Sequence, residues 1–395
     1  MQKTSSLVKN GHYSETLLIF GASARAAVES ARRGGFECVA IDLFRDLDLQ
    51  RASKNCLKVA RLEQVPQIAC SLSADVFIYT GCMENRPHII EQLEKTGKLA
   101  GNGVASLKKV RDPFWLADLG EKHGFEFAES RRIPPKKLEG IWLLKPFNSC
   151  GGRRIELFDP AKSNESNPAS KNCDDHFLFQ KHVAGQSVSA AYVASAMQTK
   201  LLGISRQLVG EAFLGAQPFS YCGSLGPYLF PTEVETQLTR IGQTIAREAG
   251  LIGLFGLDLI AGTHGVTLIE VNPRYTASME IIDYSRRISC VEQHVQACLG
   301  RALSIDGPSQ NFVCKLIQFA KTSRIKVTSE FTAWALSTNT GDFVSRIADI
   351  PPAGSEIDPG SPIFSVIGVG ESDTLAFNRA RDLCEIGYNL VSQRR

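Results

Sequence analysis

Over the first hundred residues short apolar runs alternate with stretches of helical spacing. Residues 16–20 predict a buried strand, followed by Gly21-Ala22-Ser23-Ala24-Arg25 and an Ala-rich helix to about Arg33. Gly34-Gly35 stops that helix, and residues 38–42 predict the next strand. Residues 75–81 repeat the scheme, with Pro87 opening a helix to about Lys95. Such alternation predicts an α/β unit built on a parallel, doubly wound sheet.

The middle of the chain carries the chemistry. Residues 141–146 are an apolar run ending in Lys145-Pro146, followed by Phe147-Asn148-Ser149-Cys150-Gly151-Gly152-Arg153-Arg154-Ile155. A strand there delivers a point charge, and a Ser/Gly loop lets backbone N–H groups approach phosphate oxygens. The Walker pattern G-x-x-x-x-G-K-[ST] is absent. Residues 177–189 read as an apolar strand, a polar crossover and a second strand, a hinge whose backbone suits an adenine edge. Residues 253–260 and 268–274 flank Ala261-Gly262-Thr263-His264-Gly265 and predict a β-hairpin. Strand alternation points Glu270 and Asn272 one way and Val271 into the core. Folding about His264 sets Asp258 opposite Glu270. Two carboxylates and an amide oxygen then converge, with Arg274 just beyond, and hard oxygen donors of this kind suit Mg²⁺ completed by water and nucleotide phosphates.

On these motifs the chain resembles the ATP-grasp superfamily of carboxylate–amine ligases, over about 180 residues from Lys108 to about Ile282. The resemblance implies an N-terminal Rossmann-like domain (1–106) and two α+β subdomains that sandwich ATP (107–190 and 191–300). It implies that Asp258, Glu270 and Asn272 hold Mg²⁺, or Mn²⁺ in its place, and that Arg274 and Lys145 act on the transferred phosphoryl group. Ser149, Gly151 and Gly152 would cover the phosphates, Gln180, Lys181, His182 and Val183 face the adenine, and Gln186 or Ser187 lie near the ribose. Ser23, Arg25 and Glu84 are candidates for the acceptor-substrate wall. Many relatives carry glutamates at the first and last hinge positions, where this chain has Gln180 and Ser187. Many also have Asp-Lys where this chain has Asp112-Pro113, so Lys108, Lys109 or Arg111 must supply the missing phosphate contact, or the contact is dispensable. Val110-Arg111-Asp112-Pro113 resembles predicted ATP-grasp ligases linked to methanofuran and tetrahydromethanopterin one-carbon metabolism. Asp112 itself predicts a helix N-cap with Pro113 in the first turn.

Past Gly300 the pattern changes to short strand-like runs at 313–320, 329–336, 342–347 and 362–367, with Pro351-Pro352-Ala353-Gly354 and Pro359-Gly360 as turns and a closing helix over about 374–387. These predict a small β-rich C-terminal domain (301–395). Residues 159–175, rich in Ser, Asn, Lys and Pro, predict a mobile surface insertion.

Composition narrows the function. A formal net charge of +3 over 395 residues excludes a strong general preference for nucleic acid. Between Lys95 and Arg154, thirteen Lys/Arg face six Asp/Glu, a band suited to a nucleotide or an acidic substrate. Eleven cysteines without C-x-x-C spacing, and no signal segment, predict the cytoplasm. No apolar stretch reaches membrane-spanning length. The expected partners are a small-molecule carboxylate and amine, with a homodimer allowed. The expected reaction is ADP-forming amide synthesis, in one-carbon coenzyme biosynthesis if the narrower resemblance holds. Two alternatives stand beside it: an ATP-binding regulatory module without turnover and, more weakly, a nicotinamide oxidoreductase. Against the latter, Gly21-x-Ser23-x-Arg25-Ala26 lacks the second glycine of a dinucleotide loop, and Asp42 alone does not make one.

Overall fold

The computed structural model describes residues 8–9, 12–13, 15–135, 139–159, 177–263, 265–301, 303, 305, 309, 311–339 and 343–392. Near the N-terminus four parallel strands run in the order Asn55–Lys58, Glu37–Asp42, Thr16–Phe20, Val76–Tyr79. Leu17 to Phe20 are fully buried, as a strand covered on both faces requires. Helix Arg25–Arg33 packs Ala27, Val28 and Ala31 into a core shared with Val193, Leu254, Val291 and Val295, which fastens this sheet to the rest of the chain.

A second, four-stranded antiparallel sheet has the order Glu156–Leu157, Trp142–Pro146, Phe177–Lys181, Ser130–Arg131. Trp142, Leu144 and Pro146 are buried on one face, so alternation turns Leu143 and Lys145 to the other. Gln180 stands opposite Leu143, and Leu178 opposite Lys145.

The largest sheet has nine strands, Ile347–Ala348, Pro362–Gly370, Phe312–Phe319, Tyr221–Gly226, Thr199–Val209, Gln186–Ala194, Gly253–Gly262, Gly265–Asn272 and Glu126–Phe127, antiparallel except at the last pair. Helix Thr232–Ala249 lies on it through Leu238, Ile241 and Ile245. Gly242 permits the close approach, since a Cβ there would fall 2.3 Å from the Tyr192 ring. That ring stacks on Phe255 at 5.0 Å and its hydroxyl donates to the Leu238 carbonyl at 2.9 Å. Residues 182–185 cross from the small sheet to the large one, where the hydrophobic pattern puts the hinge.

Strands at 312–319 and 362–370 extend the same nine-stranded sheet. The strand expected at 329–336 is instead helix Ser329–Thr338. Its Thr and Phe content reads as strand, but Thr328 caps it, accepting from the Phe331 N–H at 3.0 Å, and Phe331 and Ala335, four apart, bury on one helical face. Of the run expected at 342–347 only Ile347–Ala348 is a strand, and residue 342 lies outside the described residues. The closing helix is longer than expected, Asp373–Ser392. The proposed insertion lies outside the described residues from 160 onward, as does His264 of the hairpin turn. Among the described residues no helix is long and apolar enough to cross a membrane.

Candidate active site

The hairpin of Gly253–Gly262 and Gly265–Asn272 pairs Asp258 with Glu270 and Gly256 with Asn272. Asn272 Nδ2 donates to Asp258 Oδ2 at 2.9 Å, and Gln207 Nε2, from the next strand but one, donates to Oδ1 at 2.8 Å. Lys145 Nζ approaches Glu270 Oε2 at 3.2 Å, bringing the small sheet against the large one. Arg111 donates to Glu270 Oε1. Its position follows from local folding. Arg111 occupies the junction between helix Val104–Val110 and helix Pro113–His123, where Asp112 accepts from the Phe114 N–H at 2.9 Å. Lys109 instead donates to the Glu248 carbonyl at 3.0 Å, and Lys108 is exposed. Of Lys108, Lys109 and Arg111, it is Arg111 that reaches the carboxylates.

The two carboxylates are electrostatically distinct. Burial, reinforced by the charge of Glu270, raises Asp258 to about 6, against the opposing pull of Arg274 and Lys145. Burial would also raise Glu270, but Lys145 and Arg111 outweigh it and lower that group to about 2. Arg274 fixes the far side: Nε donates to Glu84 Oε1 at 2.8 Å and Nη2 to Asn272 Oδ1 at 3.2 Å.

These groups close one end of a cavity of about 330 Å³. Its wall includes Lys145, Ser149, Gly151, Gly152, Gln180, Lys181, His182, Val183, Ser187, Asp258, Glu270, Asn272 and Arg274. The glycine loop lies over it and is tied at both ends. Asn85 Nδ2 donates to the Ser149 carbonyl at 3.2 Å, and the Tyr221 N–H to the Gly151 carbonyl at 3.1 Å. At the hinge, the N–H groups of Lys181 and His182 are used by the carbonyls of Glu129 and Ile141, both at 2.8 Å. The Gln180 amide nitrogen donates to Ser130 Oγ at 3.3 Å and the Ile269 carbonyl at 3.4 Å.

The structure does not bring Ser23 or Arg25 to this wall. Ser23 is exposed, with its carbonyl accepting from Thr80, and Arg25 is buried on the carboxylates of Glu280 and Asp349. Glu84 does reach the cluster, through Arg274. Asp42 is buried and accepts from the N–H groups of Ala24, Phe44 and Arg45 at 2.6–2.8 Å, so one oxygen serves its own loop and the other the start of helix Arg25–Arg33, rather than a ribose. Gln207 and Asn85 carry no sequence signal, being isolated amides that the fold delivers from distant strands and loops.

Among the described residues there is no ready cluster of three or more His, Cys, Asp or Glu. Two carboxylates and an amide oxygen on adjacent strands do suit Mg²⁺, a hard cation ordinarily held by one or two carboxylates with water and substrate phosphates. Three cations around them complement a polyphosphate.

Residues 121–278 match the ATP-grasp domain family. The chain is 24% identical over 374 residues to an uncharacterized protein of Methanocaldococcus jannaschii, covering 89% of this chain and 87% of that one. It is 21% identical over 243 residues to the tyramine–L-glutamate ligase of the same organism, covering 60% and 64%. Among solved structures, the biotin carboxylase–β-γ-ATP complex from Campylobacter jejuni superposes with a TM-score of 0.73 at 15% identity, over 93% of this chain and 91% of that one. Architecture and family match agree: residues 121–278 are an ATP-grasp domain, and the chain is built on the ATP-grasp fold.

Proposed function

We propose that this protein is a Mg²⁺-dependent, ADP-forming ligase that joins a small-molecule carboxylate to an amine. The observation that carries the reading is the convergence of Asp258, Glu270 and Asn272 with Lys145, Arg111 and Arg274 at one end of a cavity covered by a glycine loop. The ligation of tyramine and L-glutamate named for the Methanocaldococcus jannaschii relative supports the reaction class, and the ATP complex of the biotin carboxylase supports the nucleotide. Production of a one-carbon coenzyme is the narrower form of the proposal.

In this reading Asp258, Glu270 and Asn272 would hold Mg²⁺, which would supply charge neutralisation for the polyphosphate. Lys145 and Arg111 leave Glu270 for phosphate oxygens as nucleotide enters. Arg274 meets charge that develops on the γ-phosphoryl group as a substrate carboxylate oxygen attacks phosphorus and the bond to ADP breaks. Gln180 to Val183 position the base, Ser187 lies on the ribose side, and Ser149, Gly151 and Gly152 exclude water from the acyl phosphate. The amine nitrogen then attacks the acyl carbon, the C–O bond to phosphate breaks, and the nitrogen's proton leaves to solvent. The products are amide, ADP and phosphate.

The test is phosphate release from Mg-ATP across a panel of amino acids and amines, with ATP affinity measured by calorimetry on the same preparation. Release that requires both a carboxylate and an amine is the expected result. Tight ATP binding with no substrate-dependent release across the panel makes the chain a nucleotide-binding module instead.

A further inference from the structure

We propose that Cys82 and Cys150 form a reversible disulfide that shuts the glycine loop over the nucleotide cavity, so that an oxidant switches the site off. The inference rests on the ligase reading above and adds a regulator to it.

The two cysteines belong to segments far apart in the chain. Cys82 lies on the loop between strand Val76–Tyr79 and helix Pro87–Glu94, while Cys150 sits on the glycine loop and lines the cavity. Hydrogen bonds bring the segments together. Asn85 Nδ2 donates to the Ser149 carbonyl and to Cys150 Sγ, both at 3.2 Å, and Cys150 Sγ lies 3.7 Å from Glu84 Oε1. In that arrangement the Cys82 and Cys150 thiols hydrogen-bond to each other. Both are free and part-exposed, whereas Cys38, Cys56, Cys222, Cys290, Cys314 and Cys384 are buried in the core. Cys82 holds a left-handed backbone at φ 72°, and its carbonyl accepts from Arg86 at 2.8 Å, so its loop is fixed in shape. Cys150 is therefore the partner that moves when the glycine loop opens.

The chemistry follows from the surroundings of each sulfur. The hydrogen bond from Cys150, helped by Arg274 and Arg86, holds the Cys82 thiol below its ordinary value against burial and the Glu84 charge. The same bond, with burial, pushes Cys150 up. Cys82 is the attacking sulfur, since the thiolate is the nucleophile. With hydrogen peroxide as oxidant, it takes one oxygen as the O–O bond breaks, and the hydroxide released leaves as water with the Cys82 proton. The Cys150 sulfur then attacks the Cys82 sulfur, the S–O bond breaks, and the hydroxyl leaves as a second water with the Cys150 proton. The two thiols lose two electrons, which the peroxide gains, and a dithiol reductant restores both thiols by exchange. In the reduced protein the glycine loop is held through single hydrogen bonds to the Ser149 and Gly151 carbonyls, which entering nucleotide can displace. A covalent bond at Cys150 is not displaced, so the oxidised loop stays closed and ATP is kept out.

The test compares full-length protein kept reduced with the same protein treated with hydrogen peroxide. Peptide mass spectrometry without reduction should find Cys82 and Cys150 linked, and a dithiol should release them. Calorimetry should show Mg-ATP affinity falling at least about tenfold on oxidation, as the fraction of protein with an open loop falls, and recovering on reduction. Cys82→Ser should bind Mg-ATP equally before and after peroxide. Cys150→Ser should show the same insensitivity, and serves as the test variant if the Cys82 protein does not fold. A loss of affinity in the Ser variants as large as in wild type overturns the inference, as does oxidation that yields only sulfinic acid or other cysteine pairs. A linked peptide with unchanged ATP affinity overturns it too, because the bond then closes nothing. Reduced wild-type protein that binds no Mg-ATP overturns the ligase reading itself, and the inference falls with it.

Discussion

Two clusters of opposite charge are built from the same groups to different ends. In the first, Arg25 binds both oxygens of Glu280, reaches Asp349 at 3.0 Å and lies 3.6 Å from Asp48, while Lys315 donates to Glu280 at 2.6 Å. Arg25 and Glu280 are at most 1% exposed. Their elements come from the N-terminal helix, helix Met279–Arg286, strand Phe312–Phe319 and the turn at 349, so the cluster clamps the parallel sheet to the large one. Asp48 completes the clamp by accepting from the N–H groups of Asp349 and Ile350. The second cluster, Glu270 with Lys145 and Arg111, borders a cavity and keeps its carboxylates part-exposed. An ion pair alone therefore does not mark a functional site. What separates the two is room beside the charges, together with partners that a ligand can replace.

The largest effect should come from breaking the clamp. Arg25→Ala strands the Glu280 and Asp349 charges in a buried setting, and removing one partner of such a network costs about 3–5 kcal/mol. Urea denaturation should show that loss, while phosphate release per folded molecule changes far less. A comparable drop in turnover with unchanged stability would reverse the roles assigned to the two clusters. Glu270→Gln is the counterpart. It keeps the shape, removes a charge from the metal-binding set, and should lower phosphate release per folded molecule at least about a hundredfold. Activity within a few-fold of wild type would remove Glu270 from the site.

A smaller effect separates two adjacent glycines of the loop. Both have positive φ, 65° at Gly151 and 74° at Gly152. A Cβ at Gly151 meets nothing within 4 Å, whereas at Gly152 it falls 1.8 Å from the Phe219 carbonyl oxygen. Gly152→Ala therefore prevents the loop from lying in its closed position, while Gly151→Ala brings only backbone strain of about 1–2 kcal/mol. KM for ATP should rise roughly tenfold or more in the former and about two- to threefold in the latter. Equal effects would mean that the closed contact with Phe219 plays no part in turnover.

Much of the second cluster is legible in the sequence and almost none of the first. The hairpin can be read because two apolar runs flank a short turn, but Asp258 stands opposite Glu270 only through a one-residue register shift between Asp258 and Leu259; the register at the turn, which pairs Leu259 with Leu268, would set Asp258 opposite Ile269. Lys145 follows from alternation along a strand whose other face is Trp142, Leu144 and Pro146. Arg25 looks like a surface residue at a helix start because Glu280, Lys315 and Asp349 lie hundreds of positions away, and only tertiary packing brings them together. Strands Thr199–Val209 and Tyr221–Gly226 escape the hydrophobic pattern for a related reason: they carry Arg206, Gln207 and Ser224 in the middle of the large sheet. Helix Ser329–Thr338 has the composition of a strand, and its cap rather than its composition decides its conformation.

The last contrast is between Arg111 and Lys109, two residues apart on one helix end. A sequence lacking lysine at position 113 leaves both as replacements, and the basic band around them favours neither. The structure separates them by direction, since Arg111 meets Glu270 while Lys109 meets the Glu248 carbonyl outside the cavity. If Arg111 supplies the phosphate contact, Arg111→Ala should raise KM for ATP by about tenfold, a loss of about 1.4 kcal/mol, and Arg111→Lys should recover part of it. The Ala variant also leaves Glu270 with Lys145 as its remaining cation, so its carboxyl should titrate above its present value of about 2. Lys109→Ala should change KM for ATP less than about twofold, as an exposed contact with one carbonyl predicts. Calorimetric ATP binding on the three variants measures the contrast directly. Should Lys109→Ala weaken ATP as much as Arg111→Ala, the attraction would be a property of the whole basic band, and the contact between Arg111 and Glu270 would have no special place in it.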